Sequence, residues 1–340
     1  MTVPGLDLER LRDYLDAQAP DLAPGKLAAE VIAGGKSNLT YTLRSDDGVL
    51  VLRRPPLGHV LATAHDMGRE FRVISALGPT SVPVPATRLM CADPEVIGAP
   101  FYLMSYVDGT VYRGAAETAS LTPERAHAMS YHLIDVLADL HDVDPAAVGL
   151  GDFGRPAGYL DRQLRRWKAQ LDASRSRELP GIEELHDALA ASVPASGPGA
   201  IVHGDYRLDN AIVGDDDRIA AVLDWEMATL GDPLADLGLL LVYWGRLDDL
   251  PGNSLPSAVA RGGFPSGDDL IARYARRRAV DLRRLPWYVA FGFFKLAVIS
   301  EGIHYRFSAG QTVGEGFAHM GAAVLPLVAK GHAALAGDQP

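Results

Sequence analysis

The sequence predicts an α+β protein, with a small β-rich first part followed by a larger, mainly helical part. Three observations predict it. Short apolar runs punctuated by glycine fill the first third of the 340-residue chain. Helical stripes dominate after Gly109. A short β segment at 199–224 interrupts those stripes.

The elements follow in order. Residues 6–18 place Leu8, Leu11, Tyr14 and Leu15 at helical spacing. Apolar runs at 29–33, 39–44 and 49–53 read as strands, and the last two flank Asp46-Asp47-Gly48, a hairpin signal. A helix over 63–77 ends at Gly78-Pro79. Two more strands fit 84–90 and 100–107. The boundary between the two parts is expected near Val107–Thr110, giving an N-lobe of residues 1–107 and a C-lobe of 108–340. Beyond it, Ala126, Met129, Leu133, Val136, Leu137 and Leu140 stripe a helix over 121–141. Further helices fit 157–174, 267–279, 286–307 and 313–331.

Composition narrows the function classes. Hydrophobic residues make up 48% and charged residues 22%, the balance of a globular protein with a real core. The single cysteine, Cys91, excludes an internal disulfide and fits a reducing cytoplasm. The opening MTVPGLDLERLRDYL has no apolar h-region, and no run of eighteen apolar residues occurs. A cytoplasmic protein with neither leader nor membrane span is expected. The net charge of −11 argues against a nucleic-acid partner, which needs a basic face.

The chemistry is concentrated in His203-Gly204-Asp205-Tyr206-Arg207-Leu208-Asp209-Asn210 and the AIVGDDDRIAAVLDW that follows. Ala211–Val213 and Ile219–Leu223 flank a turn, Gly214–Arg218, and read as a β-hairpin. A hairpin in that register returns Asp224 toward Asn210. Adjacent strands lie about 4.8 Å apart. An amide oxygen and a carboxylate at such a separation can share one hard cation, and magnesium takes few protein oxygens while keeping water and phosphate. Asp205, ahead of the hairpin, can accept a hydrogen bond from an incoming hydroxyl. Phosphoryl transfer asks mainly for positioning and for cations on the phosphate oxygens. Asp215, Asp216 and Asp217 read as solvated turn residues.

HGDYRLDN resembles the catalytic loop of the protein kinase-like superfamily, with the spacing H-x-D-x-x-x-x-N. With LDWE and GDPLADLG downstream, the sequence is similar to the aminoglycoside phosphotransferase and choline kinase family. That resemblance implies a bilobal protein kinase-like fold, ATP and Mg2+ as cofactors, and a small-molecule hydroxyl as acceptor. It implies Asp205 as catalytic base or hydroxyl orienter, Asn210 and Asp224 as metal ligands, and Arg207 near the γ-phosphate. His203 and Asp236 are implied as supports of the loop, and Glu226 as a support of the metal. Asp152-Phe153-Gly154 spells the kinase metal motif, but it stands about fifty residues ahead of the loop instead of after it, and reads as chance.

The first lobe carries matching features in matching order. Gly35, Ser37 and Asn38 sit in a turn between strands, where glycine lets backbone approach phosphate and the side chains can donate. Arg53 occupies the place of the phosphate-pairing lysine, with Arg54 its rival, since alternation lets only one face the site. Glu70 would be its ion-pair partner. Met104 would stand against adenine, with the Ser105 carbonyl and Val107 amide bonding the base.

GGKSNLTYTL, VLRRPP and DWEMATLGDPLADLG resemble the branch of kinase-like domains associated with acyl-CoA dehydrogenases, over about residues 29–330. That branch implies a hydroxyacyl-CoA as acceptor, whereas the family name implies an aminoglycoside. Arg155, Arg162, Arg165 and Arg166 suit an anionic acceptor, or are helix surface charges. Trp287, Tyr288, Phe291, Phe293 and Phe294 line an acyl pocket, or pack the core. A nucleotide-binding pseudokinase is the third reading, which only the arginine at 53 favours.

Overall fold

The computed structural model describes residues 3–32, 38–57, 65–195, 197–245, 247, 249–251, 258–259, 263–311, 317 and 319–337. The chain divides into two compact units. One comprises Met1–Gly109 with Ala220–Ala228, the other Thr110–Ile219 with Thr229–Pro340. The division is therefore not a single cut near residue 107, because a late segment folds with the first unit.

In the first unit, α1 (Leu8–Gln18) begins where the Asp7 carboxylate accepts the Glu9 and Arg10 amides, each at 3.1 Å. Strands β1 (Ala28–Val31), β2 (Leu39–Ser45), β3 (Gly48–Arg54), β4 (Thr87–Cys91) and β5 (Phe101–Ser105) form one antiparallel sheet in the order β1-β2-β3-β5-β4. Alternation sends Tyr41, Leu43, Leu52, Phe101 and Leu103 to one face, where they pack with Leu11 and Leu15 of α1. Tyr14 meets Phe101 edge-on at 5.8 Å.

The opposite parity carries Val51, Arg53, Tyr102 and Met104, with Arg53 directly across from Tyr102. Helix α2 (Met67–Leu77) covers this face, and its Phe71 ring lies 6.0 Å from Tyr102. It starts at Met67 because Asp66 caps it, accepting the Arg69 amide at 2.9 Å. The helix expected from 63 is therefore shorter, and its first two residues lie outside the described ones.

The second unit contains α3 (Pro123–Asp142), α4 (Tyr159–Ser174), α5 (Ile182–Ala191), α6 (Leu234–Tyr243), α7 (Gly267–Arg277), α8 (Leu285–Ser308) and α9 (Met320–Ala336). Four short strands, β6 (Ala200–Val202), β7 (Ala211–Val213), β8 (Ile219–Val222) and β9 (Thr229–Gly231), pair as β6 with β9 and β7 with β8. The turn between β7 and β8 closes through the Gly214 amide on the Arg218 carbonyl at 2.8 Å. The chain leaves the second unit within β8.

Helix α8 is the axis of the second unit. It is buried nearly all round from Leu285 to Val298 and packs against α4, α5, α6 and α9. Trp287, Tyr288, Phe291, Phe293 and Phe294 are all buried and pack in the core. Helix α6 crosses α8 at Gly238, where an added Cβ would lie 2.7 Å from the Tyr288 backbone. Helix α7 is fastened to α3 by Arg273–Asp135 at 2.5 Å, Arg278–Asp142 at 2.7 Å and Arg277–Asp139.

Two further expectations change. Asp217, read as a solvated turn residue, takes positive φ (58°) and receives the Arg125 guanidinium at 2.8–3.1 Å. The last helix starts at Met320 instead of 313, and residues 313–316 lie outside the described ones. Among the described residues, no helix is long and apolar enough to cross a membrane.

Candidate active site

Two clusters of charged residues stand out, one in each unit. In the first unit the centre is Arg53. Its Nε donates to Glu70 Oε2 at 3.0 Å, and a terminal nitrogen donates to Asp224 Oδ1. The guanidinium of Arg54 turns to the other face of β3, where the carbonyls of Gly5, Pro55 and Ile97 accept from it. The pleat thus settles which arginine meets Glu70.

Glu70 sits in the first turn of α2, with its side chain 1% exposed. Burial pushes its carboxyl pKa up, and the Arg53 charge pulls it back. For Arg53 burial works against the charge. Glu70, Tyr102, Asp224 and Glu226 together outweigh burial, so its pKa is raised.

Asp224 takes a left-handed conformation (φ 65°, ψ 58°) in the middle of the short segment, Ala220–Ala228, that joins this unit. A non-glycine residue there costs about 1–2 kcal/mol, and such strain concentrates at functional positions. Helix α2 holds this segment through Arg69, which donates to the Ala228 carbonyl at 3.2 Å. The segment is also tied by the Val222 amide on the Pro83 carbonyl at 2.8 Å.

Asn38, expected as a phosphate donor, is 4% exposed and engaged at both ends. Its Nδ2 donates to Glu226 Oε2 at 3.0 Å, and its Oδ1 stands 2.8 Å from His65 Nδ1. Burial, then the Arg53 charge, lowers the His65 pKa, which favours a neutral ring donating through Nδ1. Asn38 in this state therefore positions Glu226. Gly35 and Ser37 lie outside the described residues.

On β5, Met104 is buried on the Arg53 face. The Ser105 hydroxyl accepts the Ala86 amide at 2.9 Å, and the Ser105 amide donates to the Ala86 carbonyl at 2.8 Å. Val107 lies just beyond the strand, half-buried, with no described group accepting its amide.

In the second unit the centre is the loop His203–Asn210. Asp236, in the first turn of α6, accepts the His203 amide at 2.6 Å and the Gly204 amide at 2.8 Å. It also meets His141 Nε2 at 3.3 Å. Burial raises the Asp236 pKa, but His141 and the loop amides prevail and it is lowered. Behind it, His141 Nδ1 meets the Tyr274 hydroxyl at 2.7 Å. The His203 ring accepts the Asp205 amide through Nδ1 at 3.2 Å, and Tyr206 donates to the Leu133 carbonyl at 2.7 Å. Gly204, at φ 84°, makes the turn that aims Asp205 outward.

Asn210 reaches back along a single 3-10 turn, Leu208–Asn210. Its Nδ2 donates to the Asp205 carbonyl at 2.8 Å and to Asp205 Oδ2 at 3.1 Å. The amide oxygen of Asn210 is left for a different partner. Arg207 Nε stands 3.5 Å from Asp205 Oδ2, its terminal nitrogen bonds Asp209 Oδ2 at 2.8 Å, and its plane lies 4.6 Å from the Tyr243 ring centre. Burial pushes the Asp209 pKa up to about 6, against the pull of Arg207.

Sequence reasoning missed Asp209, Tyr243, His141 and Lys295. The signal for Asp209 was its place two residues from Arg207; the other three come from distant helices with no motif. Arg162, read for an anionic acceptor, instead donates to the carbonyls of Ala157 and Arg155 at the start of α4. Phe153 of the Asp152-Phe153-Gly154 decoy is a buried core ring.

Among the described residues, no three His, Cys, Asp or Glu side chains converge as a ready-made cation site. The donor types that remain, the Asn210 amide oxygen and the Asp224 carboxylate, are hard oxygens. Each is a donor type that suits magnesium, which takes one or two protein ligands and leaves the rest of its shell to water and phosphate.

The sequence matches the phosphotransferase enzyme family over residues 28–287. A curated relative, "Acyl-CoA dehydrogenase family member 11" of Gallus gallus, is 36% identical over 319 residues. That alignment spans 92% of this chain but 41% of the relative, so the chain corresponds to about two fifths of that protein. A crystal structure from Ralstonia eutropha JMP134, provisionally named an aminoglycoside phosphotransferase, is 30% identical with a TM-score of 0.85. It covers 98% of this chain and 99% of that one. Aminoglycoside phosphotransferase APH(4)-Ia, solved with AMP-PNP and hygromycin B, shares the fold at 14% identity, with a TM-score of 0.62 over 94% of this chain and 98% of its own.

Proposed function

This chain belongs to the phosphotransferase enzyme family, and from that premise we propose that it moves the γ-phosphate of Mg-ATP to a hydroxyl of a small molecule. The observation that carries the reading is the presentation of Asp205. Its loop is clamped by Asp236 from behind, and its carboxylate is steadied by Asn210 and Arg207. A carboxylate so held can accept a hydrogen bond from an acceptor hydroxyl and hold it in line, which supplies the positioning that phosphoryl transfer needs.

In this reading Arg53, kept charged and braced by Glu70, pairs with the nucleotide phosphates. The Val107 amide and Ser105 carbonyl bond the adenine. Asn210 and Asp224 hold the magnesium, which when bound neutralises charge on the phosphate oxygens. Arg207 faces the transferred group, with its guanidinium fixed by Asp209 and Tyr243. A hydroxyacyl-CoA is the proposed acceptor, on the likeness to relatives named for acyl-CoA dehydrogenases.

ADP release from Mg-ATP against hydroxyacyl-CoAs, aminoglycosides, choline and sugars tests the proposal, with Asp205→Asn as the blank. Acceptor-dependent release is expected, with a loss of about 10²–10⁴-fold in the variant, the range for a positioned acid or base. Near-normal turnover in Asp205→Asn would remove Asp205 from the reaction. Stimulation by an aminoglycoside alone would replace the acyl-CoA acceptor.

A further inference from the structure

The second unit buries a lysine that no motif announces. Lys295 lies midway along α8, between the buried residues Phe294 and Leu296, and is itself 7% exposed. Lysine is almost never buried unless its amine is paired. Its Nζ donates to the Gly204 carbonyl at 2.6 Å and lies 5.4 Å from the centre of the Trp167 ring. Burial lowers its pKa, and the charges of Asp205 and Asp236 pull it back up.

The bond falls at a particular place. Gly204 is the residue before Asp205, and its amide is already taken by Asp236 at 2.8 Å. The two peptide groups that meet at Gly204 are thus held from two helices, on one side by α6 and on the other by α8. Rotation of the second peptide would move the Asp205 amide off His203 Nδ1 and re-aim the Asp205 carboxylate. Over Leu285–Val298 of α8, Lys295 is the one charged side chain, and its amine meets a carbonyl of the loop that carries Asp205. Its presence beside Asp205 therefore points to geometry and not to packing.

We propose that Lys295 is a positioning residue for phosphoryl transfer, fixing the Gly204 carbonyl and through it the direction of the Asp205 carboxylate. The proposal rests on the phosphotransferase reading given above, and its test separates the two. Lys295→Met keeps the length and apolar character of the stem and removes the donor.

Two measurements are made on the full chain. Hydrogen exchange of the Gly204 and Asp205 amides is expected to quicken at least tenfold, while the α8 backbone keeps its protection. With the acceptor that stimulates the wild type, kcat is expected to fall about a hundredfold, the cost of a misplacement near 1 Å. KM for ATP should stay within twofold, and Lys295→Arg should recover part of kcat. Unchanged exchange, a kcat within twofold, or an equal loss of ATP affinity would each overturn the assignment. No acceptor-dependent turnover in the wild type would sink the phosphotransferase reading, while the exchange result would still decide whether Lys295 holds the loop. If Lys295→Met does not fold, Lys295→Arg, which keeps the charge but moves the donor, is read in the same two assays.

Discussion

Arg53 shows how one side chain can serve two acids. Its planar guanidinium meets Glu70 through Nε and Asp224 through a terminal nitrogen at the same time. A lysine offers a compact point charge and cannot reproduce that planar fork. Arg53→Lys should therefore weaken ATP binding roughly tenfold, about 1.4 kcal/mol, read by calorimetry. Equal affinity would mean that the fork is not used. The pairing of Arg53 with Glu70 was expected from the resemblance to kinase-like proteins. The choice of Arg53 over Arg54 was not, because it depends on which face of β3 turns toward α2. Asn38 was legible as a polar residue at a turn. Its engagement by Glu226 and His65 was not, since those partners are distant in the chain.

Helices α3, α6 and α7 meet at a buried relay running from Asp236 through His141 to Tyr274 and Arg278. Burial, the largest influence on His141, holds its pKa below the ordinary value near 6.5 despite Asp236. Below that pH the unfolded chain takes up a proton that the folded chain does not. The stabilising contribution of His141 is thus present above about pH 6.5 and is lost as the pH falls. The lowered pKa of Asp236 acts with the same sign at lower pH. Thermal unfolding of the wild type should decline more steeply from pH 7 to pH 5 than that of His141→Gln. Parallel curves would show that His141 is protonated alike in both states. The helical stripe of α3 was readable from its period, but the relay was not, since it joins residues up to 133 positions apart.

For the whole molecule, the proposed nucleotide binding would couple to stability. Mg-ATP at a hundred times its dissociation constant should stabilise the chain by about 2.7 kcal/mol against unfolding. Asp224→Ala should abolish the difference between melting with ATP plus magnesium and with ATP plus chelator. A magnesium effect of wild-type size in that variant would take Asp224 out of the metal site. The sequence by itself determined the α+β class, most of the helices and strands, and the loop from His203 to Asn210, because these rest on periodicity and on residues close in the chain. Tertiary structure decided which late segment joins the first unit, which face of β3 is used, and that Asp236, His141 and Lys295 brace the loop from His203 to Asn210. Those outcomes depend on hydrogen bonds and burial between residues far apart in sequence, which no local pattern encodes.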